Sequence, residues 1–292
     1  MIRSPTVLRP WCAAGPEMAS VNISPKTHYW HHLPSAAFDG LSSETVAILP
    51  IGAIEQHGPH LPLWVDSCIN EMLLDRALAA LPTDARVLAL PLQAVGKSDE
   101  HSAFGGTLSL SAETLSAMLL DLGESAHRSG VQRLILLNSH GGQPQILDVV
   151  ARELRIRHAM LVVNAAWFGL GLPEGLFSAE ECQHGIHGGE IETSLMLHLR
   201  PDLVDMSRAR NFVSLSQELV GDFDLLTVEG AIGIGWQAQD LNPWGVCGNS
   251  AAADADRGAE VAQYLVRRFI DLIGEVARFP LDRFRTSTEP RS

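Results

Sequence analysis

Short apolar runs alternate along this chain with stretches whose apolar residues recur at helical spacing. That alternation restricts the fold more than any other feature. Residues 45–51 (TVAILPI), 86–91 (RVLALP), 131–137 (VQRLILL) and 160–166 (MLVVNAA) read as strands buried on both faces, because they stay apolar without a polar alternate. Residues 66–81, 111–129, 145–158, 191–199 and 258–278 read as helices. Asp66 sits where the cap of the first helix would sit, Ser111 heads the second, and Gly130 follows it as a terminating glycine. Strands and helices in this order build a mostly parallel sheet covered on both faces, so the predicted fold is a three-layer αβα sandwich. Residues 208–250 are rich in Gly and turn residues and have no period. They read as a long irregular segment, a subunit contact or a lid over a site.

Composition narrows the function classes. The 292 residues carry 21 Lys+Arg against 34 Asp+Glu, a formal charge of −13. That balance disfavours binding to a nucleic-acid backbone or to an anionic membrane surface. No apolar run reaches the length of a membrane span. Cys12, Cys68, Cys182 and Cys247 are scattered, which reads as free thiols in a reducing, cytoplasmic compartment rather than a disulfide framework. Pro5 and Pro10 interrupt the N-terminus, so residues 1–28 read as a loose extension and not as a signal peptide. One domain over 29–278 and a tail over 279–292 complete the expected organisation.

The composition also holds 12 histidines, and their placement is informative. The first strand runs into Glu55-Gln56-His57-Gly58-Pro59-His60, followed by Asp66. Positions i and i+2 of an extended segment point the same way, so Glu55 and His57 can face one site, and Asp66 can fold back toward them. Carboxylate and imidazole together form a ligand set for a divalent metal, and a carboxylate between two imidazoles can bridge two ions. The strand at 131–137 runs into Asn138-Ser139-His140-Gly141-Gly142, where the glycines allow a sharp turn at the edge where α/β sheets hold ligands. A third cluster covers His184, His187, Glu190 and Glu192. His127, His158 and His198 read as ordinary helix-surface residues, His28, His31 and His32 as a surface or tag-like run, and His60 as a loop-fixing residue.

At these residues the sequence resembles the creatininase (creatinine amidohydrolase) family. The matching stretches are LPIGAIEQHGPHLPLWVD (49–66), GKSDEHSAFGGTLSL (96–110), LLNSHGGQ (136–143) and HGGEIETSLML (187–197), with a weaker match at GVCGNSAAADADRG (245–258). The resemblance covers roughly residues 29–275. It implies an αβα sandwich assembled as a homo-oligomer, often a hexamer, with two divalent ions (zinc, manganese or iron) per chain. By position, Glu55 and His140 would hold one ion, His57 the other, Asp66 would bridge, and His187 would be the catalytic acid/base. The glutamate that creatininase supplies to its second metal falls at Gly142, so the resemblance points to Glu190 or Glu192 instead, with Glu190 the more natural replacement. Trp167 matches a substrate-facing aromatic position, whereas further aromatic positions fall at Gln183 and Gly141, and a proline is missing at Phe104-Gly105-Gly106-Thr107. Creatinine is therefore not the expected substrate.

The expected activity is metal-assisted hydrolysis of an amide or cyclic amide carbon–nitrogen bond other than a peptide bond. His187 would move the proton, and His101 would contact substrate or steady the site. Few Lys or Arg adjoin the motifs, which favours an uncharged or cationic small-molecule amide. The alternatives within the family are a deformylase of pyrimidine-type substrates or a peptidase of modified peptides. A non-catalytic metal-binding protein would have no need of His187. A dinucleotide enzyme is excluded because Glu55 stands where a pyrophosphate would sit.

Overall fold

A computed structural model describes residues 27–284. Residues 1–26 of the expected extension, Cys12 among them, and residues 285–292 of the expected tail lie outside the described residues. Four parallel strands form the central sheet: β1 (Val46–Ile51), β2 (Val87–Ala89), β3 (Arg133–Asn138) and β4 (Leu161–Ala166), in the order β2-β1-β3-β4. Their register aligns Ile51 with Asn138, and Asn138 with Ala166. The C-terminal ends of the three longer strands therefore open at one edge, where the next residues of each chain segment meet.

Side-chain alternation along β1 explains the layering. Val46 and Ile48 face one core with α1 (Val65–Ala80), and Ala47, Leu49 and Ile51 face the other with α2 (Ala112–Arg128) and α3 (Pro144–His158). The first core is completed by α5 (Glu190–Leu199) and the long α8 (Ala255–Arg278), and short helices α4 (Ala179–His184), α6 (Leu215–Glu218) and α7 (Ala238–Leu241) lie between the main elements. Ser111 does cap α2, accepting from Thr114 N at 3.2 Å. Asp66 does not cap α1: Trp64 occupies the cap position and the Asp66 carboxylate lies buried within the first turn. The segment at 208–250 contributes a two-stranded antiparallel pair, β5 (Asn211–Phe212) and β6 (Gly248–Asn249), with α6, α7 and irregular chain between.

The two helices α5 and α8 approach so closely that Gly258 has no room for a side chain. A Cβ there would collide with the Ser194 carbonyl oxygen and lie 3.0 Å from Leu195 N, both parts of the α5 backbone. The same helix α5 also carries Glu190 and Glu192. Gly258→Ala is expected to cost roughly 1–3 kcal/mol through overpacking. A urea titration checks this as a lower midpoint with an unchanged slope. Among the described residues, no helix is long and apolar enough to cross a membrane.

Candidate metal centre

The strand edge gathers the polar residues from three loops. Glu55 is fully buried, and its backbone N–H is held by the Leu63 carbonyl at 3.0 Å. His57 Nδ1–H donates to the Glu55 carbonyl at 3.1 Å, which leaves Nε2 as the free lone pair. That Nε2 faces Asp66 Oδ1 at 3.8 Å, Glu192 Oε2 at 3.9 Å and Glu55 Oε1 at 4.0 Å. On the other side, His140 Nδ1 faces Glu55 Oε2 at 3.2 Å and Asp66 Oδ2 at 3.7 Å. His140 Nε2–H donates to the Lys97 carbonyl at 2.8 Å, and Asn138 Oδ1 accepts from the His140 backbone N–H at 3.0 Å. The two oxygens of Asp66 thus address two different imidazoles.

The site contains an unusual concentration of unsatisfied buried atoms. Glu55 Oε1 and Oε2, His57 Nε2, Asp66 Oδ2 and Glu100 Oε1 are buried and have no hydrogen-bond partner. The His140–Glu55 contact brings opposite charges together without hydrogen-bond alignment. Buried polar atoms normally find a partner, and each one left over costs free energy, so orphans converging on one point mark a place for a cation. Four overlapping ligand groups fit that purpose: Glu55–His57–Asp66, His57–His187–Glu192, Glu55–Glu100–His140 and Glu55–His101–His187, each with its donor atoms within 4.8 Å of one another. Oxygen and imidazole nitrogen suit a hard-to-borderline divalent ion.

Electrostatics agree with the crowding. Burial, then the charges of Glu55 and Glu192, push the Asp66 carboxyl well above the usual range, although His140 opposes them. Burial would do the same to Glu55, but His140, His101 and His187 outweigh it and hold that group well below. Burial, reinforced by His187, keeps His57 neutral and far below an ordinary imidazole. Burial also depresses His140, yet Glu55, Glu100 and Asp66 prevail and raise it well above. Burial raises Glu192.

His187 lies against these groups on a short approach to α5. Its Nε2 stands 2.8 Å from the Gln56 carbonyl, which can only accept, so the proton is on Nε2 and Nδ1 faces Glu55 Oε1 at 3.7 Å. The backbone is pinned by Cys247 N–H donating to the His187 carbonyl at 2.8 Å. The His187 ring packs between His57 and His101, with centroids 4.1 and 4.3 Å away. Gln56 fixes this stack: its Nε2 lies 2.8 Å from His101 Nδ1 and donates to the Gly245 carbonyl at 2.5 Å. His60 sits behind, tied to Thr193 Oγ1 at 3.0 Å, and serves the loop.

Two residues expected at the site lie away from the cluster. Glu190 does not enter the cluster: its Oε1 pairs with Arg257 of α8 and its backbone N–H donates to Glu181 at 2.6 Å. Glu192 does enter, held by the Gly188 N–H at 2.6 Å. Residues two apart on a helix differ by about 200° in direction, so only one of the pair can face inward. Trp167 does not contact the cavity either. It is wholly buried, donates to Asn70 Oδ1 at 3.2 Å and stacks on Phe269 at 4.9 Å, in the core beneath the sheet edge. The indole of the cavity comes instead from Trp236 in the irregular segment.

Above the cluster lies a cavity of about 350 Å³, lined by Glu55, Asp66, His140, His187 and Glu192 at its floor and by Phe168, Leu172, Ile186, Ile191 and Trp236 on its walls. A second cavity of about 490 Å³ shares Glu100, Gly141, Gly142, Glu229 and Trp236 with it. Among the described residues, no Lys or Arg lines either one.

A three-layer α/β sandwich with buried carboxylates and imidazoles at the C-terminal strand edge defines a hydrolytic enzyme with a site suited to metal. Residues 31–273 match the family model described as creatininase, creatinine amidohydrolase, and the chain belongs to that family as an amidohydrolase acting on carbon–nitrogen bonds. A mycofactocin precursor peptide peptidase of Mycobacterium ulcerans (strain Agy99) is 32% identical over 80% of this chain and 84% of its own. A creatinine amidohydrolase of Pseudomonas putida is 34% identical over 57% of this chain and 69% of its own. A solved creatininase with a tryptophan-to-phenylalanine substitution superposes with a TM-score of 0.69 at 25% identity, over 85% of this chain and 98% of that one. Creatininases solved in a manganese form and a Zn–Zn form share the fold at 24% identity, with TM-scores of 0.68 and 0.69.

Proposed function

We propose that this chain hydrolyses an amide carbon–nitrogen bond at a pair of divalent metal ions, with His187 as the proton carrier. The observation that carries the reading is Asp66, whose Oδ1 faces His57 and whose Oδ2 faces His140 across a floor of orphaned buried oxygens. In this reading Glu55 and His140 would hold one ion, His57 and Glu192 would hold the other, and Asp66 would serve both. Bound there, divalent ions lower the pKa of water toward neutrality and polarise a carbonyl oxygen.

The remaining work falls to the chain itself. The Gln56 carbonyl keeps the His187 proton on Nε2, so Nδ1 is the face that accepts a proton from attacking water and returns it to the departing nitrogen. Phe168, Leu172, Ile186 and Ile191 keep bulk water from one side of the scissile bond. His101, held by Gln56, backs the His187 ring and stands 3.5 Å from Glu55 Oε1. With Glu100 and Glu229 in the lining and no cation there, the substrate is an uncharged or positively charged amide.

A second reading, a peptide substrate, is favoured by one feature. The two cavities adjoin, sharing Glu100, Gly141, Gly142, Glu229 and Trp236 in their linings, which extends the lined surface from the cluster toward the 230–236 loop. An extended chain fits that surface better than a small ring, and a relative is named a precursor peptide peptidase. Exposed Val220, Phe223, Leu225, Ile232 and Trp244 support assembly into a homo-oligomer through the same segment.

A panel of creatinine, linear amides and short peptides tests the function. Hydrolysis of linear amides or peptides is expected, abolished by a chelator and restored by Mn²⁺ or Zn²⁺, with creatinine a poor substrate. Turnover that ignores the chelator contradicts the reading.

A further inference from the structure

We propose that Glu100 is a metal ligand on the His140 side of the centre, delivered from the turn before α2 into space that a side chain on residue 142 would otherwise occupy. The inference rests on the two-metal reading above. Glu100 lies on the short turn Asp99–His101, and its side chain is 12% exposed. Its Oε1 is buried without a hydrogen-bond partner, lies 3.1 Å from His140 Nε2, and groups with Glu55 and His140 as a ligand set. The other oxygen points outward, 3.8 Å from Lys97 Nζ. The carboxylate is therefore split, one oxygen to the cluster and one to a cation.

The backbone on either side holds the turn over the His140 loop. Lys97 N–H donates to Gln143 Oε1 at 3.1 Å, and Ser98 N–H donates to Ser109 Oγ at 2.9 Å. Gly142 completes the argument. A Cβ on residue 142 would collide with Glu100 Oε1 and lie 2.6 Å from His140 Nε2. The Glu100 carboxylate and a side chain at 142 are mutually exclusive occupants of one space beside the same imidazole. Glycine at 142 is what lets Glu100 reach in.

Two other roles are separable by experiment. If Glu100 only accepts a hydrogen bond from the His140 ring, glutamine keeps that function; if it is a ligand, glutamine does not. Wild type, Glu100→Ala and Glu100→Gln are purified and assayed by elemental analysis and competition with a chromogenic chelator. Circular dichroism confirms folding in each. Wild type is expected to hold about two ions. Glu100→Ala and Glu100→Gln are expected to keep one tightly and to hold the other at least tenfold more weakly. Wild-type retention in both single variants overturns the proposal and leaves the two-metal reading intact. Retention in Glu100→Gln alone reduces Glu100 to a positioning residue and also overturns it. An empty wild type overturns both together.

Discussion

Asp66→Asn is expected to lose at least one of two metal ions and nearly all activity, while its metal-free form folds at least as stably as wild type. The two halves have one cause. In the absence of a cation, Asp66 is held in low dielectric beside Glu55 and Glu192, and burial followed by those charges raises its pKa well above normal. A raised folded-state pKa means stability that is present below the unfolded value and lost as pH rises through the folded one. Metal-free wild type is therefore destabilised by this group at neutral and alkaline pH, and asparagine removes that penalty at nearly constant volume. Metal reverses the sign by giving the carboxylate a partner. At a metal concentration a hundred times Kd the gain is about 2.7 kcal/mol, enough to raise Tm by roughly 5 °C in a chain of this size. Thermal melts with and without Mn²⁺ or Zn²⁺ check both parts: the metal-induced rise should be present in wild type and clearly smaller in Asp66→Asn.

His187→Asn carries the second large effect, and its pattern matters more than its size. Removing a proton carrier costs about 10²- to 10⁴-fold in kcat. Metal content and KM should change little, because His57, His140 and the carboxylates remain. His187 also falls within two of the ligand groups, with Glu55 and His101 and with His57 and Glu192. Loss of an ion on substitution would move it from acid/base to ligand. Steady-state kinetics paired with elemental analysis of the same preparation distinguishes the two.

Much of this architecture is legible in the sequence because its physics is local. Unbroken Val, Ile and Leu runs can only be satisfied between two layers, so all four central strands fall within a residue or two of their predicted places. Ser111 caps α2 because its hydroxyl needs no distant partner. Asp66 misleads for the opposite reason: its cap-like position is local, whereas its carboxylate answers to Glu55, His57 and His140 from other loops. The choice between Glu190 and Glu192 likewise depends on Arg257, far away in sequence. Trp167 follows a strand as a substrate-facing aromatic would, but Phe269 of α8 claims it for the core.

Glu100, Gln56 and Trp236 are not legible as site residues in the sequence, since none sits in a periodic element. The available signal for Glu100 was its neighbour His101 in the GKSDEHSAF stretch together with the vacancy at Gly142. Only the folded chain brings those two positions into contact. The irregular segment at 208–250 offered no period to read, and it is the part that shapes the cavity wall.

The most direct measurement is the metal stoichiometry of the native protein, purified without chelator or affinity metal and analysed by plasma mass spectrometry against amino-acid analysis. Orphaned oxygens and imidazoles arranged around Asp66 predict about two divalent ions per chain. A chain that carries no divalent ion and takes up none from Mn²⁺ or Zn²⁺ would contradict the account.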